Sequence, residues 1–438
     1  MEFATKADAE AYNPTTAPDF LSIAGYTAAG DLGGALYKKV AAAPAHVGKL
    51  QIAEGSWYEI AEAELDSRMV GLPLFASNAA SAFEDFLIAA TTLDVPAIVG
   101  DGQIYDFPTG TVSLPSNLVL RMIGAVLRRT TDVLIPLFES SSTNNIVLIG
   151  GTFSNTRPPT APSITNNTAL FLNGSSNVRV TDIRVEGAFY VGVYFRDCLN
   201  ASCENTQVFG VVNRACYVAA ATYTENISVS DCLFDGYELG TTNRLTNHIV
   251  NTNAFGTGSG RNITFTNCTS RHGSTNPTGE GFGFSDRITD QRAVNCFAYD
   301  CPTGFTLQEA NGNPVLRVQL VNCSSENCSN NGYFATGANI FSIVGSRATG
   351  CGTGFNILNS FNFTIASCIA ENCTAGGFSY DGNTSVGVIS GNLATVNVGT
   401  GFYSANTASY LNAKGNIAVS NTTSYIWNAF ASDTTGNI

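Results

Sequence analysis

Residues 363–378 read FTIASCIAENCTAGGF: an alternating apolar run, Cys368, four residues, Cys373, then a glycine turn running into Phe378. An extended path from Cys368 to Cys373 spans about 16 Å, too far for a disulfide or a shared zinc. The pattern recurs as DQRAVNCFAYDCPTGF from Asp290 and RVQLVNCSSENCSNNGY from Arg317. In IFSIVGSRATGCGTGF from Ile340 and VGVISGNLATVNVGTGF from Val386, Ser346 with Cys351 and Asn392 with Asn397 take the cysteine places. The cysteines therefore read as small stacked fillers, expected to be free thiols. The aromatic after the turn falls at Phe305, Tyr333, Phe355, Phe378 and Phe402, at intervals of 28, 22, 23 and 24 residues. Degenerate copies lie upstream as NVRVTDIRV from Asn177, NISVSDCLF from Asn226 and NITFTNCTS from Asn262.

Short alternating strands repeating at this period predict an all-β, right-handed, single-stranded parallel β-helix, because no single coil can bury its inner face without neighbours. Each coil is expected to run strand, turn, strand starting at cysteine, glycine turn, strand starting at the aromatic. Ile263, Phe265, Cys268, Phe282 and Phe284 are the expected inward positions, with equivalents stacked at about 4.8 Å. A leucine-rich solenoid lacks its leucine framework here, and a β-sandwich would not explain the constant order of Asn, Cys and Gly-aromatic. The β-helix is assigned to residues 136–438. Residues 67–135 hold SNAASAFEDFLIAA, an amphipathic helix with Ser77 or Asn78 as cap, and the first strands. A helix there would cover the apolar end of the solenoid. Residues 1–66 form a small separate module, whose GYTAAGDLGGALYKKV lacks phosphate-loop spacing and reads as turns.

The chain has 438 residues, 44% hydrophobic and 13% charged, with a formal charge of −13. That balance argues against binding nucleic acid through a phosphate field. Nothing resembles a spanning segment, so no membrane insertion is expected. The opening MEFATKADAE lacks a basic region followed by an apolar one, so export is expected by another route than a Sec signal. Lysine is confined to Lys6, Lys38, Lys39, Lys49 and Lys414, whereas Arg244, Arg261, Arg271, Arg287 and Arg292 fall within 49 residues.

The stretches IAGYTAAGDLGGALYKKV and APAHVGKLQIAEGSWYEIAE resemble the short module ahead of pectate-lyase-like β-helices in bacteriophage and prophage tail spikes, and AFEDFLIAATTLDVPAIVGDGQIYDF resembles that superfamily's cap helix and first strand. The usual GDGVTDD-like run before the cap helix is replaced by VGLPLFASNAASAF. The resemblance implies a homotrimeric spike, carried on a virion tail or released outside the cell, that recognises and usually cleaves a cell-surface polysaccharide.

Excess length in a regular solenoid becomes outward loops, where binding groups gather. The two longest gaps follow Cys232 and Cys268, and they hold His248 and His272 with Asp235, Glu238, Glu280 and Asp286. Hydrolysis of a glycosidic bond needs a carboxylic acid and a second carboxylate, for which Glu280, Asp286, Asp235 and Glu238 are the candidates, with His272 beside them and Glu309 on an adjacent coil. β-Elimination on a uronate needs a cation and a base, which Arg271 and Arg287 with His272 or Tyr299 would supply; Arg244 and His248 complete the expected substrate-binding set. Hydrolysis is placed ahead of elimination, an epimerase on the same scaffold is the further enzymatic alternative, and a glycan-binding adhesin spike is the non-enzymatic one. No cofactor is called for, and no Ca²⁺ loop is evident.

Overall fold

A computed structural model describes the protein except at residues 73–78, 101, 132, 157–166, 188, 237–247, 274–278, 286, 310–311, 406–410 and 428–438. The chain divides into two compact units, the first ending at Val185 and the second beginning at Glu186.

The first unit opens with a five-stranded sheet in the order Glu2–Phe3, Phe20–Ile23, Ala35–Val40, Trp57–Ile60, Lys49–Gln51. Leu21, Ile23, Tyr37, Leu50 and Tyr58 bury its core. The glycine-rich stretch turns as expected up to Gly34, but its ALYKKV end is the strand Ala35–Val40 rather than a turn; in the turn the Asp31 carboxylate accepts from the backbone N–H groups of Tyr26, Thr27, Ala28 and Gly33. Desolvation pushes Asp31 up, but these four donors together hold it well below the usual carboxylate range.

From Leu65 the chain enters coils of three parallel sheets, named first, second and third in the order the chain visits them. The Ala79–Leu93 helix buries Phe83, Phe86, Leu87, Ala89 and Ala90. Phe83 packs on Tyr105, Phe107 and Phe138 of the earliest coils at 5.5–5.7 Å between ring centroids, so the helix covers the apolar interior as expected. Its anticipated cap, Ser77 or Asn78, lies outside the described residues.

The second unit is a run of parallel coils. One coil has strands Ser259–Thr266, Thr269–Arg271 and Glu280–Ser285, each paired in parallel with the equivalent strand of the next coil. The five inward positions expected in this coil are at most 1% exposed. Phe282, Phe305, Tyr333, Phe355, Phe378, Phe402 and Tyr425 form one stack with centroids 4.5–5.3 Å apart and ring planes within 10°. The glycine before every aromatic of the stack but Tyr425, which follows Ser424, has its own reason. A Cβ on Gly354 would lie 2.6 Å from the Gly377 carbonyl oxygen, so only glycine lets adjacent coils approach there.

The strand after each cysteine begins one residue later than anticipated, and the cysteine occupies the bend. All twelve cysteines are buried free thiols, and they do more than fill space. Cys268 and Cys368 donate to Val229 and Ile343 carbonyls of the preceding coil at 3.4 and 3.3 Å, and Asn392 and Asn416 donate to Ile365 and Ile389 at 2.9 Å. Thiol and amide are interchangeable because each supplies a donor to the same carbonyl column.

A second column bends the first-sheet strands. Asn200, Asn226 and Asn262 adopt left-handed backbone, φ 54–59°, with each amide donating to the Oδ1 of the one before at 2.9 and 2.6 Å. Asparagine tolerates that conformation. Ile340 and Val386 hold it at φ 55° and 53° although β-branched, a cost of about 1–3 kcal/mol that the stacked neighbours impose.

Candidate functional site

The connections from the second to the third sheet are long in the coils that carry Asp235 and Arg271, and they separate Phe234–Asp235 from His248, and Arg271–His272 from Glu280. Two side-chain clusters border them.

The first cluster sits at the ends of second-sheet strands. Asp235 ends the strand Leu233–Asp235 and is paired in register with Arg271, which is paired with Tyr299. Its side chain is 7% exposed: Oδ2 accepts from Arg271 Nε and Oδ1 lies against His272 Nδ1, both at 2.8 Å. His272 has φ 57°, the first residue past the strand, and its ring meets Tyr299 edge-on at 5.6 Å. The left-handed residue turns the imidazole back over the strand end, and the Asp235 carboxylate fixes its orientation. Gly236 is needed beside it, since a Cβ there would lie 2.1 Å from the His272 carbonyl oxygen.

The second cluster sits on the third sheet, where register aligns Arg214, His248 and Glu280 on three successive coils. Glu280 is 8% exposed. His248 Nδ1 lies 3.4 Å from Glu280 Oε2, an ion-pair distance without hydrogen-bond alignment, and Asn251 Nδ2 donates to the same oxygen at 3.4 Å. The carboxylate folds over Gly283, whose missing side chain makes room for it. The neighbouring column is Tyr194, Tyr217, Asn251 and Gly283. Tyr194 and Tyr217 stack at 4.7 Å. Beneath this face the core carries a polar pair, Thr252 bonded to Gln291, at a position where the flanking coils place Ile263 and Val318.

The structure thus brings together Asp235, Arg271, His272 and Tyr299, and separately His248 and Glu280. Glu238, Arg244 and Asp286 lie outside the described residues. Arg287 does not join Glu280. Glu280 opens the strand and Ser285 ends it, about 17 Å along at strand rise, with Arg287 beyond that far end. Glu309 is exposed and follows the end of the aligned strand Thr303–Gln308, again at the end away from Glu280. Sequence reading missed Arg214 and Asn251 as site residues. Their signal was the coil register, since Arg214 aligns with His248 despite lying outside the arginine-rich stretch.

The fold is a parallel β-helix preceded by a small sheet. Among solved structures it is similar to the tailspike protein gp49 of Acinetobacter baumannii bacteriophage Fri1, a capsular polysaccharide depolymerase, with a TM-score of 0.56 at 13% identity over 93% of this chain and 75% of that one. The A-module of a mannuronan C-5 epimerase from Azotobacter vinelandii gives 0.57 at 12% identity over 85% and 98%, and PfbA, a surface adhesin of Streptococcus pneumoniae, gives 0.54 at 12% over 84% and 92%. No family model and no curated protein matches the sequence.

Proposed function

We propose that the protein is a polysaccharide depolymerase that holds an anionic glycan along the border where second-sheet strands end and third-sheet strands begin, and hydrolyses its glycosidic bonds. The observation that carries this reading is the presence, on the flank with the longest connections, of two buried carboxylates in different company: Glu280 against His248 and Asn251, and Asp235 against Arg271 and His272. Glycoside hydrolysis needs two carboxyl groups whose environments give them opposite roles. Glu280 protonates the leaving oxygen. Asp235, bonded to two basic side chains, serves as the carboxylate that opposes positive charge at the anomeric carbon or directs the attacking water. Arg271 faces the sugar's acidic group. The likeness to a phage tailspike depolymerase supports a place on a virion tail for this chain.

Elimination is the second reading, favoured by one feature: His272 is oriented by Asp235 as a base that removes a proton would be. Incubation with a panel of bacterial capsular and algal polysaccharides separates the cases. Reducing ends without the ultraviolet absorbance of an unsaturated uronate are expected, and Glu280→Gln is expected to abolish them. Reducing ends with that absorbance mean elimination, and altered sugar configuration at constant chain length means epimerisation. Glycan binding without any chemical change overturns the enzymatic reading in favour of an adhesin.

A further inference from the structure

Arg68, Arg121, Arg128, Arg261, Arg271, Arg317 and Arg347 pair with carboxylates. Arg214 has no such pair among the described residues. Its guanidinium lies over the Tyr217 ring, 4.3 Å from the centroid, and its Nε is buried with no acceptor among the described residues.

The ring beneath is held from several sides. Tyr217 is 4% exposed, stacked on Tyr194 at 4.7 Å and met edge-on by Phe255 at 6.1 Å, and Asn253 Nδ2 reaches its hydroxyl at 3.4 Å. A planar cation on an immobilised aromatic face keeps its fork pre-oriented. The two terminal nitrogens of a guanidinium match a carboxylate in two parallel bonds. Arg214 also stands in register with His248 and, one coil further, with Glu280, about 10 Å along the axis from the carboxylate.

We propose that Arg214, positioned by Tyr217, is a binding site for the carboxylate of an acidic sugar residue, a uronate or a sialate, seated on the coils beside Glu280. This rests on the glycan-binding reading above and narrows it to a substrate class. It makes Arg214 a specificity determinant that is separate from the bond-breaking groups.

The experiment measures binding of oligosaccharides of glucuronate, galacturonate, mannuronate and sialate, and of their carboxyl-reduced neutral counterparts, to the full chain by calorimetry. At least one acidic oligosaccharide is expected to bind more tightly than its reduced form. Arg214→Gln is expected to weaken that binding roughly ten- to hundredfold, with Arg214→Lys restoring part of it and neutral oligosaccharides unaffected by either. Tyr217→Leu, which keeps the cation and removes its seat, is expected to weaken the same ligand, guarding against a folding defect in the arginine variant; Arg214→Gln is expected to keep the wild-type melt, and Tyr217→Leu to melt lower but still cooperatively and above the assay temperature. The proposal falls if no acidic oligosaccharide outbinds its neutral form, or if Arg214→Gln binds it as the wild type does. The two readings fail separately: carboxylate-selective binding lost in Arg214→Gln without any cleavage upholds the site and sinks the depolymerase, whereas cleavage of neutral glycans alone does the reverse.

Discussion

Replacing Gly283 with alanine tests the candidate site without touching any of its polar groups. A Cβ at that position would lie 2.1 Å from Glu280 Oε2 and 2.7 Å from Asn251 Nδ2. Since a Cβ essentially never comes closer than 3.0 Å to another heavy atom, the carboxylate must retreat by at least 0.9 Å. Both obstructing atoms are ends of flexible side chains, so the strand Glu280–Ser285 and the stacked Phe282 beneath it stay in place. The burden falls on position alone. Misplacing a reacting group by about 1 Å costs on the order of a hundredfold in rate, so kcat for polysaccharide cleavage is expected to fall about that much with the thermal midpoint little changed. Steady-state kinetics on the polymer that the wild type cleaves, with a melt run alongside, provides the measurement. Wild-type kcat in Gly283→Ala would refute the assignment of Glu280 as the proton donor.

Further outcomes follow from other parts of the molecule. Asp235→Asn removes the carboxylate that orients His272 and Arg271, and activity is expected to drop at least a hundredfold with the melt retained; an unchanged rate would remove Asp235 from the mechanism. Phe355→Ala takes out a ring stacked at 4.5 and 4.7 Å and is expected to lower stability by about 3–5 kcal/mol in urea titrations, far more than Phe355→Leu. Asn392→Leu deprives the Ile365 carbonyl of a donor and the Cys368 N–H of its acceptor, with an expected loss of about 2–3 kcal/mol. Stability is also expected to decline in alkali. Burial pushes Cys368 and Cys373 up to about 12, whereas an unfolded thiol ionises near about 8.5. Between those values the unfolded chain has released protons that the folded one retains. The stability is therefore complete below about 8.5 and falls by about 1.4 kcal/mol per pH unit per thiol above it; a urea midpoint that is flat from neutral to pH 10 would contradict this.

The architecture was legible because its information is repeated: Phe305, Tyr333, Phe355, Phe378 and Phe402 each report the same inward position, and every copy corrects the reading of the others. The site has no such redundancy. Arg214 and His248 are 34 residues apart and His248 and Glu280 are 32 apart, outside the intervals of the regular coils, so their alignment appears only once strand pairing is known. Proximity in sequence misled in the opposite sense at Glu280 and Arg287, which an intervening strand holds at its two ends. Histidines and acids near the longest gaps could be named as candidates because length itself is a signal. Arg214 was not among the candidates because clustering of arginines was taken as the guide, and what marks it out is its seat on the Tyr217 ring, which a sequence cannot display.

The ring, thiol and amide columns have a consequence for how such a protein diversifies. Each column makes contact only with the coil before and the coil after, so a connecting segment between the second and third sheets can change in length or chemistry while the columns behind it keep their alignment. A segment exchanged at one coil therefore receives a defined address along the axis, and moving it by one coil displaces it by a single rung. Under the proposed function, selection can then retune which unit of a polymer is held, and which is cut, by reassigning residues among addresses while leaving the scaffold's own sequence rules intact.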